Sequence, residues 1–441
     1  MSYKVQIATR GPKHHLFGFH DLVAFNNTGE KLLCIEADII NRPPLAGEQF
    51  GVGYSLWEEQ HFVRLGETSA MNYPQGARQQ WLSNHEFIVN NRVSNKWGAD
   101  IYDVDSGKKV ASISYPVHCV TKDGKIAFGI NYARLFRLGG YGYIGIDDNT
   151  QNEAIPKNDG IYITDIKSNK TDLLISIADV AKIDPTSCPI NGFHHYVTHL
   201  CLSPDNQRIA FLHRFFLADG GIRTRLMTIG VNGGGCRCLA SGFLSHFDWK
   251  DDNTIFIWGK ESGNMDSLRS NPLLSHRYLQ PFLGVAKDFA RKLLKNTSVN
   301  TKHFLMVKDE SQKSVVPFAV GVIDEDGHPM CCPTDRDLLI CDTYPNKETK
   351  NRTLFFYAFK ENRRFDIATF YMGGDPLDNS LENEYLNGID PIIKSMVSSE
   401  QLGFTRSGLH CDLHPRWDAH GKMVAFDSIH EGTRQIYIVE R

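Results

Sequence analysis

The stretch that decides the fold is His414-Pro415-Arg416-Trp417-Asp418-Ala419-His420-Gly421-Lys422-Met423-Val424-Ala425-Phe426. It begins as an extended segment, passes through a polar turn that closes on Gly421, and continues into an apolar strand of β-forming residues. A further strand is predicted at residues 434–439. The same phrase returns as His199-Leu200-Cys201-Leu202-Ser203-Pro204-Asp205-Asn206-Gln207-Arg208-Ile209-Ala210-Phe211. A phrase that recurs along a chain indicates a repeat architecture.

Five looser copies of the phrase lie at residues 23–35, 80–90, 117–128, 246–258 and 328–341. The seven copies are about 65 residues apart on average, whereas a four-stranded propeller blade needs only about 40–45 residues. We therefore predict an all-β fold, a single seven-bladed β-propeller domain over residues 1–441. The surplus residues predict long loops on one face, where scaffolds of this kind usually carry their sites.

Further strands are predicted at residues 99–104, 160–165 and 353–357, each as the third strand of its blade. Residues 263–300 have apolar side chains at helical spacing, which predicts a helical insertion in blade 5. The N-terminal segment at residues 3–7 is predicted to pair beside the last blade. Such pairing would close the ring and leave no open sheet edge.

Composition excludes several kinds of partner. The net charge is −3, with 48 basic and 51 acidic residues, so no overall field attracts nucleic acid. No run reaches the roughly 18 apolar residues that insertion into a membrane needs. The first residues do not have the pattern of an export signal, and the ten cysteines are scattered, so we expect a cytoplasmic protein with reduced thiols.

Aligning the repeats places histidine at one position in four consecutive copies. His199, His246, His328 and His414 each stand four residues before the residue that opens the turn. First strands of propeller blades usually line the central channel, so we expect these imidazoles to converge. Histidine is the commonest metal ligand and also titrates near neutral pH. The register therefore predicts a metal or catalytic centre.

A thiol lies close to the last of these histidines. Cys411 precedes His414 by three residues, and thiolate together with imidazole suits zinc. We predict a divalent metal held by His246, His328, Cys411 and His414, zinc first, with manganese or calcium as alternatives. Four protein ligands would make a closed structural site, whereas three would leave a position for water or substrate.

Several other phrases resemble the seven-bladed polysaccharide lyases, namely the oligogalacturonate lyases and, more closely, the propeller ulvan lyases. The resemblance runs from about residue 14 to the C-terminus, and its most specific part is the final motif with His430-Glu431-Gly432. The phrases that carry it lie at residues 14–21 (HHLFGFHD), 72–81 (NYPQGARQQW), 133–143 (ARLFRLGGYGY), 211–214 (FLHR), 245–249 (SHFDW), 342–345 (DTYP) and 411–417 (CDLHPRW).

The resemblance implies β-elimination on a uronate-containing oligosaccharide. This reaction requires a base, a cation that neutralises the uronate carboxylate, and an acid that protonates the leaving oxygen. His199 would be the base, Tyr141 or Tyr143 the acid, and Arg134 or Arg214 would hold the carboxylate. The residues assigned to further substrate contacts are Arg78, Arg137, His195 and His213.

Two other readings compete with a lyase. A propeller without catalysis could bind a sugar or a protein in surface-polysaccharide metabolism. In a lyase, His199, a tyrosine and an arginine would meet at one pocket. In a binding protein they need not do so. The propeller of a serine peptidase is excluded, because the chain has no Gly-x-Ser-x-Gly elbow and no residues left for a hydrolase domain.

Overall fold

The computed structural model describes residues 3–139, 141–188, 192–217, 221–261, 302–373 and 375–441. The helical insertion predicted at residues 263–300 lies outside these residues. The described chain is an all-β protein, as predicted, and its strands form six antiparallel sheets. The first strand, β1 (Val5–Ile7), belongs to the last of these sheets.

The first three sheets have four strands each, in chain order. They contain β2 (His14–Leu16), β3 (Lys31–Ala37), β4 (Phe50–Leu56) and β5 (His61–Thr68); β6 (Gln80–Trp81), β7 (Glu86–Val93), β8 (Lys96–Asp103) and β9 (Lys108–Ile113); and β10 (Cys119–Val120), β11 (Ile126–Ile130), β12 (Gly160–Asp165) and β13 (Lys170–Ser176).

The remaining three sheets complete the chain. The seven-stranded sheet contains β14 (His195–Leu202), β15 (Arg208–Phe216), β16 (Ile222–Gly230), β17 (Arg237–Asp251), β18 (Thr254–Glu261), β19 (His303–Lys308) and β20 (Val315–Phe318). The next contains β21 (Met330–Cys331), β22 (Leu338–Asp342), β23 (Asn351–Ala358) and β24 (Arg363–Tyr371). The last contains β25 (Arg416–Trp417), β26 (Met423–Ser428), β27 (Gln435–Glu440) and β1.

The predicted third strands are confirmed, because β8, β12, β23 and β27 each occupy the third place in their sheets. The predicted pairing of the N-terminus with the last sheet is confirmed too. Strand β1 lies antiparallel to β27, with Val5 opposite Val439 and Ile7 opposite Tyr437.

Two tryptophans on first strands link one sheet to the sheet before it. Their indole N–H groups donate to main-chain carbonyls, Trp81 to Ala24 (2.9 Å) and Trp417 to Met330 (3.1 Å). Within the seven-stranded sheet, Trp249 on β17 makes the same kind of bond to the Cys201 carbonyl on β14 (3.0 Å). The last sheet reaches the first through His420 Nε2, which lies 2.8 Å from the Asn27 carbonyl. The sheets therefore follow one another around a closed ring, which is the arrangement of a β-propeller.

Short helices lie in the loops between strands. They are α1 (Tyr132–Leu138), α2 (Ile177–Lys182), α3 (Glu382–Tyr385), α4 (Pro391–Met396) and α5 (Ser399–Arg406). Apolar side chains of α1, α3, α4 and α5 share one core cluster, so these loops pack as a layer against the sheets. None of the helices in the described ranges is long and apolar enough to cross a membrane.

Candidate active site

The four histidines of the register lie at one cavity of about 220 Å³. The ring centroids of His246 and His328 are 4.2 Å apart, and those of His328 and His414 are 4.3 Å apart. The cavity is also lined by Phe19, Pro74, Tyr141, Arg214, Ser245, Tyr344, Thr405, His410 and Asp412. Side chains that are far apart in the chain, at one position of the aligned repeats, thus meet at one place.

Backbone conformation helps to aim two of these histidines. His199 has φ 56° and His414 has φ 44°, values in the left-handed region that residues other than glycine rarely adopt. At His199 this conformation accompanies a register shift between Thr198 and Cys201 in the pairing of β14 with β15. Such irregularities redirect a side chain and cost about 1–3 kcal/mol, so they persist only where the surrounding structure holds them.

Three of the imidazoles are oriented through Nδ1. This nitrogen lies 3.0 Å from Asp326 Oδ1 in His246, 2.8 Å from Asp342 Oδ1 in His328, and 2.9 Å from the Gly18 carbonyl in His414. All three partners are acceptors, so each Nδ1 carries a proton, and in the neutral ring the lone pair is on Nε2. This is the arrangement that prepares histidine for a metal.

The Nε2 atoms of His328 and His414 both face the carboxylate of Asp412. Asp412 Oδ2 lies 3.8 Å from Nε2 of His328 and 3.7 Å from Nε2 of His414. Nε2 of His414 is buried and has no hydrogen-bond partner in the described part of the chain. One ligand atom from each of the three residues lies within 4.8 Å of the others. Two imidazoles and a carboxylate fit a divalent metal ion.

Asp412 is held in its charged form. Burial alone would raise the pKa of this carboxyl, but His410, Arg352 and His328 together hold the pKa well below its ordinary value. Arg352 Nη2 lies 2.6 Å from Oδ1, and His410 Nε2 lies 3.1 Å from Oδ2. An anion fixed in this way is a suitable ligand for a cation.

Cys411 does not join the histidines. Its side chain is 1% exposed and belongs to the hydrophobic core of the first and last sheets. Burial raises the pKa of its thiol to about 12, so the sulfur stays protonated at neutral pH. The next residue, Asp412, faces the cavity instead. His246 borders the cavity beside His328 but is not part of the group formed by His328, Asp412 and His414.

His199, Tyr141 and Arg214 meet at the same cavity. The ring centroids of Tyr141 and His199 are 6.1 Å apart. Burial, and then the Arg214 guanidinium, lower the pKa of His199 well below its ordinary value. The imidazole is therefore neutral near pH 7 and can accept a proton.

Tyr143 and the two arginines of α1 lie elsewhere. Tyr143 is fully buried, its ring stacks on Tyr132 at 4.4 Å, and its hydroxyl accepts a hydrogen bond from Asn90. Arg134 donates to the main-chain carbonyls of His195, Thr150, Glu153 and Ala154. Arg137 forms ion pairs with Asp148 and Asp390. These side chains hold the loop layer together.

The other residues assigned to the substrate are also buried in the protein. Arg78 forms a two-point ion pair with Asp21, with both distances 2.8 Å, and its side chain has no exposed surface. Its φ of 54° matches those of His199 and His414, at the corresponding place in the second sheet. His195 and His213 contact each other between β14 and β15, and they do not line the cavity.

Sequence reasoning missed three residues that line the cavity, Tyr344, His410 and Asp412, and a fourth, His20, whose ring lies beside that of His328. His20 is 1% exposed, and its ring centroid lies 5.6 Å from that of His328. Neither of its ring nitrogens makes a hydrogen bond within the described residues. His20, Tyr344 and Asp412 lie in the phrases at residues 14–21, 342–345 and 411–417, and His410 directly precedes the last of these. None of the four stands at the aligned repeat position, so the register could not select them.

Comparison with known proteins supports the fold. No protein-family model matches the sequence, and no curated protein matches it either. Among solved structures, the chain is similar to an oligogalacturonate lyase from Vibrio parahaemolyticus, with a TM-score of 0.54 and 12% identity, covering 100% of this chain and 97% of that one. It is also similar to an oligogalacturonate lyase in complex with manganese, with a TM-score of 0.56 and 11% identity, covering 100% and 96%. At these identities the likeness concerns the propeller fold.

Proposed function

We propose that this protein is a metal-dependent lyase that cleaves a uronate-containing oligosaccharide by β-elimination. The observation that carries the proposal is the meeting of His199, Tyr141 and Arg214 at the cavity that also holds His328, Asp412 and His414. A base, an acid, a fixed cation and a possible metal site are the groups that this reaction needs. The likeness of fold to oligogalacturonate lyases agrees with it.

His199 acts as the base in this proposal. Its neutral imidazole takes the proton from the ring carbon next to the uronate carboxylate. The electron pair left on that carbon forms a double bond to the neighbouring carbon, whose bond to the glycosidic oxygen breaks. Tyr141 gives its phenolic proton to the departing oxygen, since Tyr143 has no access to the cavity.

Arg214 neutralises the uronate carboxylate, because a guanidinium fork matches the two oxygens of a carboxylate. Arg134 and Arg137 are left out of this role, because their partners lie inside the protein. His328, Asp412 and His414 would hold a divalent metal, which when bound supplies positive charge for the developing enolate. His20 and His246 line the approach to these ligands.

The identity of the metal follows from the donor atoms. The prediction of zinc depended on a thiolate ligand from Cys411. This residue lies in the hydrophobic core, so it does not supply one. A carboxylate among the donors suits manganese, and a solved oligogalacturonate lyase of this fold is in complex with manganese. We therefore propose manganese or another divalent ion of similar chemistry.

We also propose that the sheets are seven blades of one domain. Strand β17 has 15 residues, and it pairs with β16 through residues up to Gly242 and with β18 from Gly242 onward. Its first part is then the outer strand of blade 4, and its second part, which carries His246, is the inner strand of blade 5. The five four-stranded sheets supply the other blades.

The direct test is an assay on uronate oligosaccharides. The full chain, supplied with manganese, is incubated with pectic, ulvan and glucuronoxylan fragments, and the ultraviolet absorbance of the unsaturated product is followed. We expect product from at least one fragment, and product formation slower by about 10²- to 10⁴-fold with His199→Asn. Silence across the panel, together with saturable binding of one fragment, would instead support a propeller that binds a sugar without cleaving it.

A further inference from the structure

A second group of metal-ligating side chains lies outside the cavity. One ligand atom from each of Cys188, His195 and His213 lies within 4.8 Å of the other two. Nδ1 of His195 is 3.1 Å from Nε2 of His213 and 3.9 Å from Sγ of Cys188. All three residues are at most 1% exposed.

The topology of the seven-stranded sheet brings the two histidines together. His195 on β14 lies opposite Phe215 on β15, and His213 lies opposite Val197. Residues two apart on a strand share one face, so His195 and His213 are diagonal neighbours across the pair of strands. Cys188 arrives from the loop that follows α2.

We propose that Cys188, His195 and His213 bind a zinc ion that joins this loop to the sheet. Tetrahedral zinc with ordinary bond lengths separates two imidazole nitrogens by about 3.4 Å and a sulfur from a nitrogen by about 3.6 Å. The corresponding distances here are 3.1 and 3.9 Å, so the ion fits after shifts of a few tenths of an ångström. These three ligands would leave the fourth tetrahedral position to water.

The surroundings favour a structural ion. The group is closed off by apolar side chains, because Cys188 packs with Ala181, Phe215 and Leu217. The ring of Phe215 stacks on His195 with centroids 4.9 Å apart. No substrate could reach such a place, whereas closed sites of imidazole and thiolate are typical of structural zinc.

The ring nitrogens that would bind the ion face each other, Nδ1 of His195 and Nε2 of His213. The opposite ring nitrogens, Nε2 of His195 and Nδ1 of His213, have no hydrogen-bond partner in the described residues, so no hydrogen bond from the protein commits either ring to another orientation.

The site is distinct from the cavity, but it bears on the same strand. His199 follows His195 by four residues on β14. An ion at His195 would therefore steady the strand that positions His199. The proposal stands whether or not the protein is a lyase, since it rests on other residues.

Cobalt(II) distinguishes the two sites, because a thiolate ligand gives a charge-transfer band that imidazole and carboxylate do not. The full-length protein is stripped of metal with a chelator and titrated with cobalt. We expect the band in the wild type and in His414→Ala, which alters only the cavity. We expect its loss in Cys188→Ser and at least an about 100-fold weaker cobalt affinity in His213→Gln, a larger effect than that of losing an outer-shell partner.

A wild type without the band, or a band that survives in Cys188→Ser, would overturn the proposal. A second measurement uses only the wild type, so it remains informative if the variants fail to fold. Thiol alkylation during slow unfolding, with and without zinc, is mapped by peptide mass. Zinc should protect Cys188 from alkylation. If zinc protects none of the ten thiols, or protects only thiols other than Cys188, the result counts against the site.

Discussion

Asp342 Oδ1 accepts two hydrogen bonds from His328, one from the main-chain N–H at 2.7 Å and one from Nδ1 at 2.8 Å. The other oxygen of the same carboxylate accepts the main-chain N–H of His414 at 3.2 Å. A single buried aspartate therefore fixes the ring of one candidate metal ligand and the backbone of another. Outer partners of this kind set both the tautomer and the basicity of a ligating histidine.

Replacing this carboxylate should weaken metal binding. In Asp342→Asn we expect manganese affinity to fall by about 10- to 100-fold, because an amide orients the imidazole but does not make it more basic. The measurement is competition with a chelating dye. Asp105→Asn is the matched control, since Asp105 forms an exposed pair with His85 and should leave the affinity unchanged. Equal affinities for Asp342→Asn and wild type would remove Asp342 from this role.

His199→Asn should lose β-elimination while keeping the fold. Asparagine tolerates the left-handed backbone at this position better than alanine does, so the change removes the base with little added strain. We expect kcat to fall by about 10²- to 10⁴-fold, which is the usual contribution of a general base. His85→Asn, at an exposed histidine, serves as the control. Residual activity within a few-fold of wild type would assign the base elsewhere.

Arg214→Lys separates charge from shape. Lysine keeps the positive charge but loses the two-point contact with a carboxylate. We expect kcat/KM on an active uronate fragment to fall by about 10- to 100-fold, as for the loss of a hydrogen bond to a charged group. Arg134→Lys should instead lower stability, because Arg134 bonds to four main-chain carbonyls. A stable Arg214→Lys protein with wild-type kcat/KM would contradict the assignment.

The repeats predicted where inner-strand side chains would meet, because blades of one ring place equivalent positions at equal height. This reasoning located His199, His246, His328 and His414. It failed for Cys411 and Asp412, which precede the strand, where the backbone is irregular and alternation no longer tells inside from outside. Asp412 therefore faces the cavity, where the Cys411 thiol was predicted to lie.

The arginines could not be sorted from the sequence for a different reason. Arg78 pairs with Asp21, 57 residues away in the chain, and Arg137 pairs with Asp390, 253 residues away, as well as with the nearer Asp148. Nothing local distinguishes them from Arg214, which is left at the cavity. Burial and pairing over such separations are properties of the closed ring.

Acid should destabilise the protein. Burial lowers the pKa of several histidines well below the ordinary value, namely His20, His118, His199, His213 and His414. These side chains take up protons near pH 6.5 only when the chain unfolds, so the unfolded state binds more protons below that pH. The free energy of unfolding should fall as the pH drops below about 6.5, by up to about 1.4 kcal/mol per pH unit for each histidine.

Groups whose pKa is raised by folding oppose this trend. Nearby aspartates raise the pKa of His328 despite its burial, and burial raises the pKa of Asp248 to about 6. The five buried histidines outweigh them. Denaturant unfolding at pH 7.5, 6.5 and 5.5 gives the slope, and His118→Gln should reduce it by removing one titrating group. Unfolding free energies that are equal at pH 7.5 and 5.5 would rule out this account.

Closure of the ring depends on the first strand, so deleting residues 1–10 should lower the melting temperature by several degrees or more. The deletion removes all three β1 residues that pair with β27, and with them the Thr9 hydroxyl that bonds to Gln435 at 2.7 Å. It also bares the edge of β27, which invites association between chains. Gln6→Ala is the control, because it removes only an exposed hydrogen bond to Glu440 and should change stability by less than about 0.5 kcal/mol. Thermal melts and light scattering of the wild type, the deletion and Gln6→Ala test this prediction. An unchanged melting curve for the deletion would mean that the ring is stable without its N-terminal strand.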